Sequence, residues 1–166
     1  MDVRDPKVIF GLLAAGGVLT AAAFARPGRY FTWAELTTTT KPYDNTPPLW
    51  ARLNLIQLTR RLLDPIRAEV VQGSVTVDSG YRSPKVNQAV GGVSTSEHLQ
   101  GLAADIIPST MSVEELIARL YSRTDLPIGQ AIVYPNNGFV HVSYDPNNRR
   151  EFMESPRARD YNIWTP

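Results

Sequence analysis

Four short stretches carry the alternating or apolar pattern that is typical of β-strands. They are SVTVDS at 74–79, LAADII at 102–107, AIVYP at 131–135 and FVHVSY at 139–144. The last two flank Asn136-Asn137-Gly138, and an Asn-Gly pair between apolar stretches is a strong signal for a β-hairpin. This pattern predicts a small central sheet that is mostly antiparallel.

Helical periodicity fills much of the remaining sequence. Apolar residues recur at helical intervals over 49–71, where Pro65 is expected to kink or divide the helix. A second helix is predicted over MSVEELIARLYSR, with Ser112 as its N-cap. A short helix is predicted after Thr32, which begins the capping-box pattern T-x-x-E. Together these elements predict an α+β domain in which helices flank the sheet.

The N-terminus carries an uncharged stretch, VIFGLLAAGGVLTAAAFA at 8–25, between Lys7 and Arg26. Residues 1–25 could form a signal peptide, since Ala23-Phe24-Ala25 suits a small-x-small cleavage site. They could also form an uncleaved membrane anchor or a buried core helix. Membrane engagement is favoured because Thr20 is the one polar side chain on what would be an apolar helix.

The composition excludes several kinds of site. The chain has no cysteine, so disulfides and cysteine-bound zinc are excluded, and any metal must be held by histidine, carboxylate and water. The formal net charge of +1 gives no electrostatic argument for binding nucleic acid. A metal site must therefore draw on the two histidines of the chain.

Both histidines lie where a metal site could form. His98 follows a loop of almost 20 residues, a length that usually indicates function or disorder, and Asp105 lies seven positions later. His141 lies in a predicted strand, with Val140 and Val142 on the opposite face. Two histidines and one aspartate, with a fourth position open to water, are a ligand set of catalytic zinc sites. A satisfied polar histidine is the alternative, because this spacing alone is not specific.

The stretch VDSGYRSPKVNQAVGGVSTSEHLQGLAADI resembles the signature of the zinc D-Ala-D-Ala carboxypeptidase and L-alanyl-D-glutamate endopeptidase group of peptidoglycan peptidases. That group typically carries S-G-Y-R-[ST], then N, then G-G, then S-x-H-x-x-G-x-A-x-D, and a late histidine in a strand. YFTWAEL near residue 30 is similar to the first segment of a subgroup found in phage and bacterial cell-wall proteins. The resemblance covers about residues 29–145.

The resemblance implies a role for each matching residue. His98, Asp105 and His141 would bind Zn²⁺, which lowers the pKa of a bound water toward neutrality. Arg82 would hold the developing oxyanion or a substrate carboxylate. Ser96 would orient the first ligand or bind substrate, and Tyr81 would also contact substrate.

The general base does not match the resemblance. Members of the group usually place it two or three positions before the last histidine, where this chain has Phe139 and Gly138. Another branch places an acidic residue two positions after that histidine, where this chain has Ser143. Asp145 is the nearest downstream carboxylate and the predicted base, with Glu97 as the alternative.

Three segments are therefore expected: a signal peptide or membrane anchor at 1–25, a zinc peptidase-like domain at 26–145 and a C-terminal tail at 146–166. The zinc cleft is expected at one edge of the domain's sheet. The tail is rich in arginine, and a solvated tail is favoured over one that binds wall polymer or a partner. The expected function is a zinc peptidase acting on peptidoglycan peptides, exported or anchored in the membrane and facing the periplasm or cell wall. It could also be virion-associated, with virion proteins as partners. The alternative is a zinc-containing wall-binding or structural module that lacks a base.

Overall fold

The structure, a computed structural model, describes residues 25–157 and 160–165 of the chain. Its helices are α1 (Trp33–Thr37), α2 (Leu49–Leu58), α3 (Pro84–Ala89) and α4 (Val113–Ser122). Two π-helical segments (Thr59–Leu63 and Ile66–Val71) and a 3₁₀ turn (Glu97–Gln100) complete the helical elements in this part of the chain. The predicted N-terminal apolar helix, signal peptide or anchor lies outside the described residues, apart from residue 25. Within the described ranges, no helix is both long and apolar enough to cross a bilayer.

The described part of the chain contains one sheet of six strands in the order β1-β2-β4-β3-β5-β6. The strands are β1 (Val75–Ser79), β2 (Ala103–Pro108), β3 (Ile128–Tyr134), β4 (Phe139–Tyr144), β5 (Glu151–Arg157) and β6 (Asp160–Ile163). All neighbouring pairs are antiparallel except β3 and β5, which are parallel. The predicted α+β fold with a mostly antiparallel sheet is therefore confirmed.

The two faces of the sheet have different environments. On one face, the cross-strand partners Ala104, Val142, Ala131 and Phe152 are buried in the hydrophobic core. Helix α4 adds its apolar side to this core through Leu116, Ile117 and Leu120. The other face carries the polar and functional residues, as expected from the alternation of side chains along a strand.

Local sequence signals account for several helix boundaries. Thr32 and Glu35 form the predicted capping box at the start of α1, and the Ser112 side chain accepts a hydrogen bond from Glu115 N at the start of α4. The helix after Leu49 keeps α geometry to Leu58 and then adopts π geometry on both sides of Pro65. Proline lacks an N–H, so a change in the helical hydrogen-bond pattern around it is expected.

Two segments differ from the sequence-based expectation. The stretch before His98, expected to be one long loop, contains α3, which has Pro84 at its first position. The expected solvated tail at 146–166 was wrong for residues 151–157 and 160–163, which form β5 and β6. Strand β5 pairs with β3 and buries Phe152, and Trp164 packs against the same core. The burial of these aromatic side chains outweighs the polar composition of the segment.

Candidate metal centre

His98 is held by a tight turn directly before β2. The 3₁₀ turn that contains it ends at Gly101, whose φ of 70° lies in the left-handed region. The His98 side chain is 2% exposed, and its Nδ1 lies 2.6 Å from the carbonyl oxygen of Gly80. A carbonyl oxygen can only accept, so Nδ1 carries the hydrogen and Nε2 presents its lone pair to the site.

The sheet register brings Asp105 and His141 together. Asp105 on β2 lies directly opposite His141 on β4, and both side chains are buried. Their antiparallel neighbours Ala104 and Val142 point into the core, which leaves Asp105 and His141 on the other face. The alternation predicted for β4 is therefore confirmed.

Three potential ligand atoms converge within hydrogen-bonding distance of one another. His98 Nε2 lies 3.1 Å from His141 Nδ1 and 3.2 Å from Asp105 Oδ1, while His141 Nδ1 lies 2.9 Å from that same oxygen. Tetrahedral zinc with ligand bonds of 2.0–2.1 Å separates its ligand atoms by roughly 3.3 Å. The triangle of donor atoms is thus close to one face of a zinc tetrahedron, and its residues fit the metal.

The electrostatics of the site favour the metal-binding forms of His98 and Asp105. Burial is the largest influence on His98 and lowers its pKa, although the neighbouring Asp105 carboxylate opposes this shift. Burial acts to raise the pKa of Asp105, but the neighbouring His98 and His141 outweigh it and lower that pKa well below its ordinary range. A neutral imidazole and an ionised carboxylate are the states that bind a divalent cation.

Arg82 contacts Asp105 on the side that faces away from the two histidines. One terminal nitrogen of its guanidinium, Nη2, pairs with Asp105 Oδ2, and Nε donates to Ser79 Oγ over 2.7 Å. Asp105 Oδ1 faces the histidines, so Arg82 holds the carboxylate oxygen on the far side and orients the ligand. The remaining terminal nitrogen makes no hydrogen bond with the described residues and is the donor that Arg82 could offer to substrate.

The triad lies in a cleft of roughly 2000 Å³. One wall consists of residues from α2 and the π-helical turn after it, including Leu53, Gln57 and Arg61, and another is the loop at 90–97. The sheet contributes cleft-facing residues of β3, β4 and β5. The volume exceeds that of a typical small-molecule pocket and is compatible with a peptide substrate.

Of the two residues predicted to contact substrate, Ser96 lies at the cleft and Tyr81 does not. Ser96 lines the cleft, and its predicted contact with substrate stays a prediction. Tyr81 does not line the cleft: its side chain is 4% exposed and packs in the hydrophobic core. Its backbone instead joins two segments, since Tyr81 N donates to Leu36 O and Tyr81 O accepts from Asn45 Nδ2. The expected substrate contact of Tyr81 is thus corrected to a structural role.

Both carboxylates considered as general base line the cleft. Glu97 accepts a hydrogen bond from Arg149 Nη2 over 3.2 Å. Asp145 accepts from Asn147 N at one carboxylate oxygen and makes no ion pair with the described residues. Ser143 is fully buried, and its hydroxyl accepts from Gln130 N, so it offers no base to the cleft.

The residues that line the cleft without having been predicted include Tyr134, Met153 and Tyr161. Tyr134 lies in the strand predicted at 131–135, two residues after Ile132. The alternation of side chains along a strand could therefore have placed both residues on the functional face. Met153 and Tyr161 lie in β5 and β6, within the segment interpreted as a tail, and no signal in the sequence connected them with the metal ligands.

A buried pair of histidines with one aspartate, in an open cleft, could hold one metal ion and matches the ligand set of catalytic zinc sites. The sequence profile of the Peptidase M15 family matches residues 29–143, which is most of the chain. The protein therefore belongs to the Peptidase M15 family, a family of zinc metallopeptidases, and the predicted family and zinc cofactor are confirmed. No curated protein sequence matches the chain significantly.

Proposed function

We propose that the protein is a zinc-dependent peptidase that hydrolyses peptide bonds in peptidoglycan stem peptides or cross-links. The observation that carries this proposal is the triad of His98, Asp105 and His141, whose donor atoms lie 2.9–3.2 Å apart at the floor of the cleft. Membership of the Peptidase M15 family supports a peptidase activity, and the resemblance of the motif at 77–106 supports the peptidoglycan substrate.

In this proposal, the residues of the site have separate roles. His98, Asp105 and His141 would hold zinc, which when bound supplies a Lewis acid and a water of lowered pKa. Arg82 fixes Asp105 through one side of its guanidinium and offers its remaining nitrogen to substrate oxygen. The cleft walls orient the peptide above the ligands.

Asp145 is the proposed general base. It lines the same cleft as the ligands, and its carboxylate is not paired with a cation among the described residues. The carboxylate of Glu97, the alternative, is already engaged by an ion pair with Arg149. Asp145 is therefore better suited to accept a proton from the attacking water.

A second candidate function is a zinc-containing wall-binding or structural module without turnover. The specific observation in its favour is the absence of a base at the positions where the resembling group carries one, which are occupied here by Gly138, Phe139 and Ser143. Phe139 packs its ring against Tyr134, with ring centroids 4.7 Å apart, and Ser143 is buried and hydrogen-bonded. Neither side chain accepts a proton from water at neutral pH.

Turnover of purified muropeptides by the full chain, with zinc and with a chelator, separates the two candidates. A peptidase would cleave only with zinc, and His98→Ala would abolish both zinc binding and cleavage. Asp145→Asn should bind zinc normally and lose cleavage, while Glu97→Gln serves as the matched carboxylate control. A wild-type chain that binds zinc and cleaves no muropeptide would support the binding module instead.

A peptidoglycan substrate also implies a location outside the cytoplasmic membrane. We therefore propose that residues 8–25 act as a signal peptide or anchor, and that the domain faces the periplasm or cell wall. In a phage, the same domain would be carried in the virion. Cell fractionation with a C-terminal tag, together with the mass of the mature N-terminus, tests this location, and a full-length cytoplasmic product would contradict it.

A further inference from the structure

The metal ligands belong to a row of residues that crosses the sheet. Asp105 pairs with His141, His141 with Ile132, Ile132 with Met153, and Met153 with Ile163. The C-terminal strands thus continue the ligand-bearing face of the sheet beyond residue 143, where the family match ends. Residues of this extension are therefore placed to contact a substrate bound at the metal centre.

Tyr134 stands beside this row on the cleft face. It ends β3, lines the cleft and packs against Phe139 of β4. It lies two residues after Ile132, the cross-strand partner of His141, so its side chain is on the face of the sheet that carries His141. The half-buried phenol is therefore near the metal ligands, on the side of the cleft where β5 and β6 extend the sheet.

Tyr161 of β6 supports this phenol from the extension. Tyr134 Oη donates a hydrogen bond to Tyr161 Oη over 3.4 Å, and both tyrosines line the cleft. Tyr134 makes no other side-chain hydrogen bond with the described residues, so Tyr161 is the one polar partner that orients its hydroxyl in this part of the chain. A phenol can both donate and accept, so the direction within this pair can reverse. When Tyr161 donates to Tyr134, the O–H of Tyr134 is free to donate to a third oxygen.

We propose that Tyr134 donates a hydrogen bond to the oxyanion of the tetrahedral intermediate and that Tyr161 positions Tyr134. This inference rests on the proposed peptidase function. During hydrolysis the water oxygen bonds to the carbonyl carbon and the π electrons move to the carbonyl oxygen. The C–N bond then breaks, and the leaving amine takes the proton that the base removed from water. Tyr134 keeps its own proton throughout.

The chemistry of the cleft supports this assignment. Burial is the main cause that raises the pKa of Tyr134, and Tyr161 and Asp105 add to the shift, so the phenol remains a neutral donor at physiological pH. Arg82 has committed two of its nitrogens to Ser79 and Asp105, and Phe139 offers no hydrogen bond. A hydrogen-bond donor aimed at developing charge is the most effective kind of transition-state stabiliser.

The test compares Tyr134→Phe, Tyr161→Phe and the double variant in the full, zinc-loaded chain. Tyr43→Phe is the matched control, because Tyr43 is an exposed tyrosine that lines a separate concavity with Trp33 and Arg52. The measurements are kcat and KM on muropeptide, zinc content, and calorimetric affinity for a phosphinic pseudodipeptide. The phosphinic group reproduces the tetrahedral geometry, so its affinity reports the oxyanion contact without turnover.

Tyr134→Phe should lower kcat by roughly 100-fold with KM nearly unchanged, and weaken the phosphinic probe by a similar factor. Tyr161→Phe should have a smaller effect, and the double variant should resemble Tyr134→Phe, because a positioning residue acts only through its partner. The inference is overturned if Tyr134→Phe keeps kcat and probe affinity within about twofold of wild type. Multiplicative effects in the double variant would refute the positioning role of Tyr161. If the wild type cleaves nothing, the proposed function fails, while probe affinity still decides the role of Tyr134.

Discussion

The guanidinium of Arg82 connects the long motif loop to the metal ligands. It donates to Ser79 Oγ and pairs with Asp105 Oδ2, while its backbone N donates to His98 O. One residue thus contacts a neighbouring strand, the carboxylate ligand and the turn that carries a histidine ligand. The planar fork of arginine suits this arrangement, and the single ammonium of lysine cannot reproduce it.

We predict that Arg82→Lys weakens zinc binding by about tenfold or more, because residues that orient metal ligands typically contribute 10–100-fold to affinity. Competition with a chromophoric chelator measures the dissociation constant. Arg61→Lys is the control, since Arg61 also lines the cleft and makes no ion pair with the described residues. Equal zinc affinity in Arg82→Lys and wild type would show that Arg82 does not orient Asp105.

Gly101 shows how closely the turn around His98 is packed. A Cβ added at Gly101 would lie 2.6 Å from Ala51 O, and its φ of 70° also disfavours any other residue. Gly138 has nearly the same φ, 71°, but nothing lies within 4 Å of an added Cβ. The two glycines share a backbone conformation and differ in the space around them.

Substituting each glycine by alanine should separate these two effects. Gly138→Ala is expected to lower the free energy of unfolding by about 1–2 kcal/mol, the penalty for a left-handed alanine. Gly101→Ala should be clearly more destabilising, because its Cβ also meets the α2 backbone. Urea denaturation of both variants gives the comparison. Equal losses would mean that the helix moves away without penalty.

The metal ligands could be predicted from the sequence because residue type and motif both point to them. His98, Asp105 and His141 carry their chemistry in their side chains, and the chain has no other histidine. The contacts that orient them could not be predicted, since Gly80 O acts through the backbone. Tyr81 was misplaced for a related reason: its place in a motif does not reveal whether its ring faces the core or the cleft.

At the scale of elements, the strands and helices with strong local signals were predicted. The alternation in β1 and β4, the Asn-Gly turn after β3 and the cap of α4 are local features that tertiary packing preserves. Strands β5 and β6 could not be predicted in this way. Their sequence is largely charged or polar, Phe152 is the main apolar residue facing the core, and β5 pairs in parallel with β3 through distant residues.

Truncating the Phe152 side chain tests whether β5 is part of the folded domain. Phe152 is 6% exposed in the core, so Phe152→Ala should lower the free energy of unfolding by about 3 kcal/mol or more. Ile163→Ala is the control on β6, because Ile163 is 85% exposed and its loss should change stability by at most about 0.5 kcal/mol. Chemical denaturation gives both values. A Phe152→Ala variant as stable as wild type would restore the interpretation of a solvated tail.

At the scale of the whole molecule, the two faces of the sheet have different roles: one stabilises the fold and the other carries the metal ligands. One face buries Ala104, Val142 and Ala131 against the helices, and the other presents the ligands to the cleft. The alternating direction of side chains along a strand makes this division available to any sheet with one solvated face. Zinc binding would couple the chemistry of the site to the stability of the fold, because the ligands lie on β2, on β4 and in the turn before β2.

Zinc should therefore stabilise the whole fold, and the effect should depend on pH. At free zinc about 1000-fold above its dissociation constant, binding adds ~4 kcal/mol to the free energy of unfolding. For a domain of this size this raises Tm by roughly 10 °C. Calorimetry with zinc and with a chelator at pH 7.5 measures the difference, and His141→Ala, which removes one ligand, should lose it. The same zinc-dependent shift in His141→Ala would place the bound metal elsewhere.

Acidification should act on the metal-free and the zinc-loaded protein in the same direction. Burial lowers the pKa of His98 below its ordinary value of 6.5, so below that pH the unfolded chain binds a proton that the folded protein excludes. Neutral His98 makes its full contribution to the stability of the metal-free protein above pH 6.5. This contribution is lost as the pH falls toward the lowered pKa. Protons also compete with zinc for the imidazole nitrogens, so the zinc-dependent increase in Tm should shrink between pH 7.5 and about 5. An increase that is independent of pH in this range would show that histidines do not hold the metal.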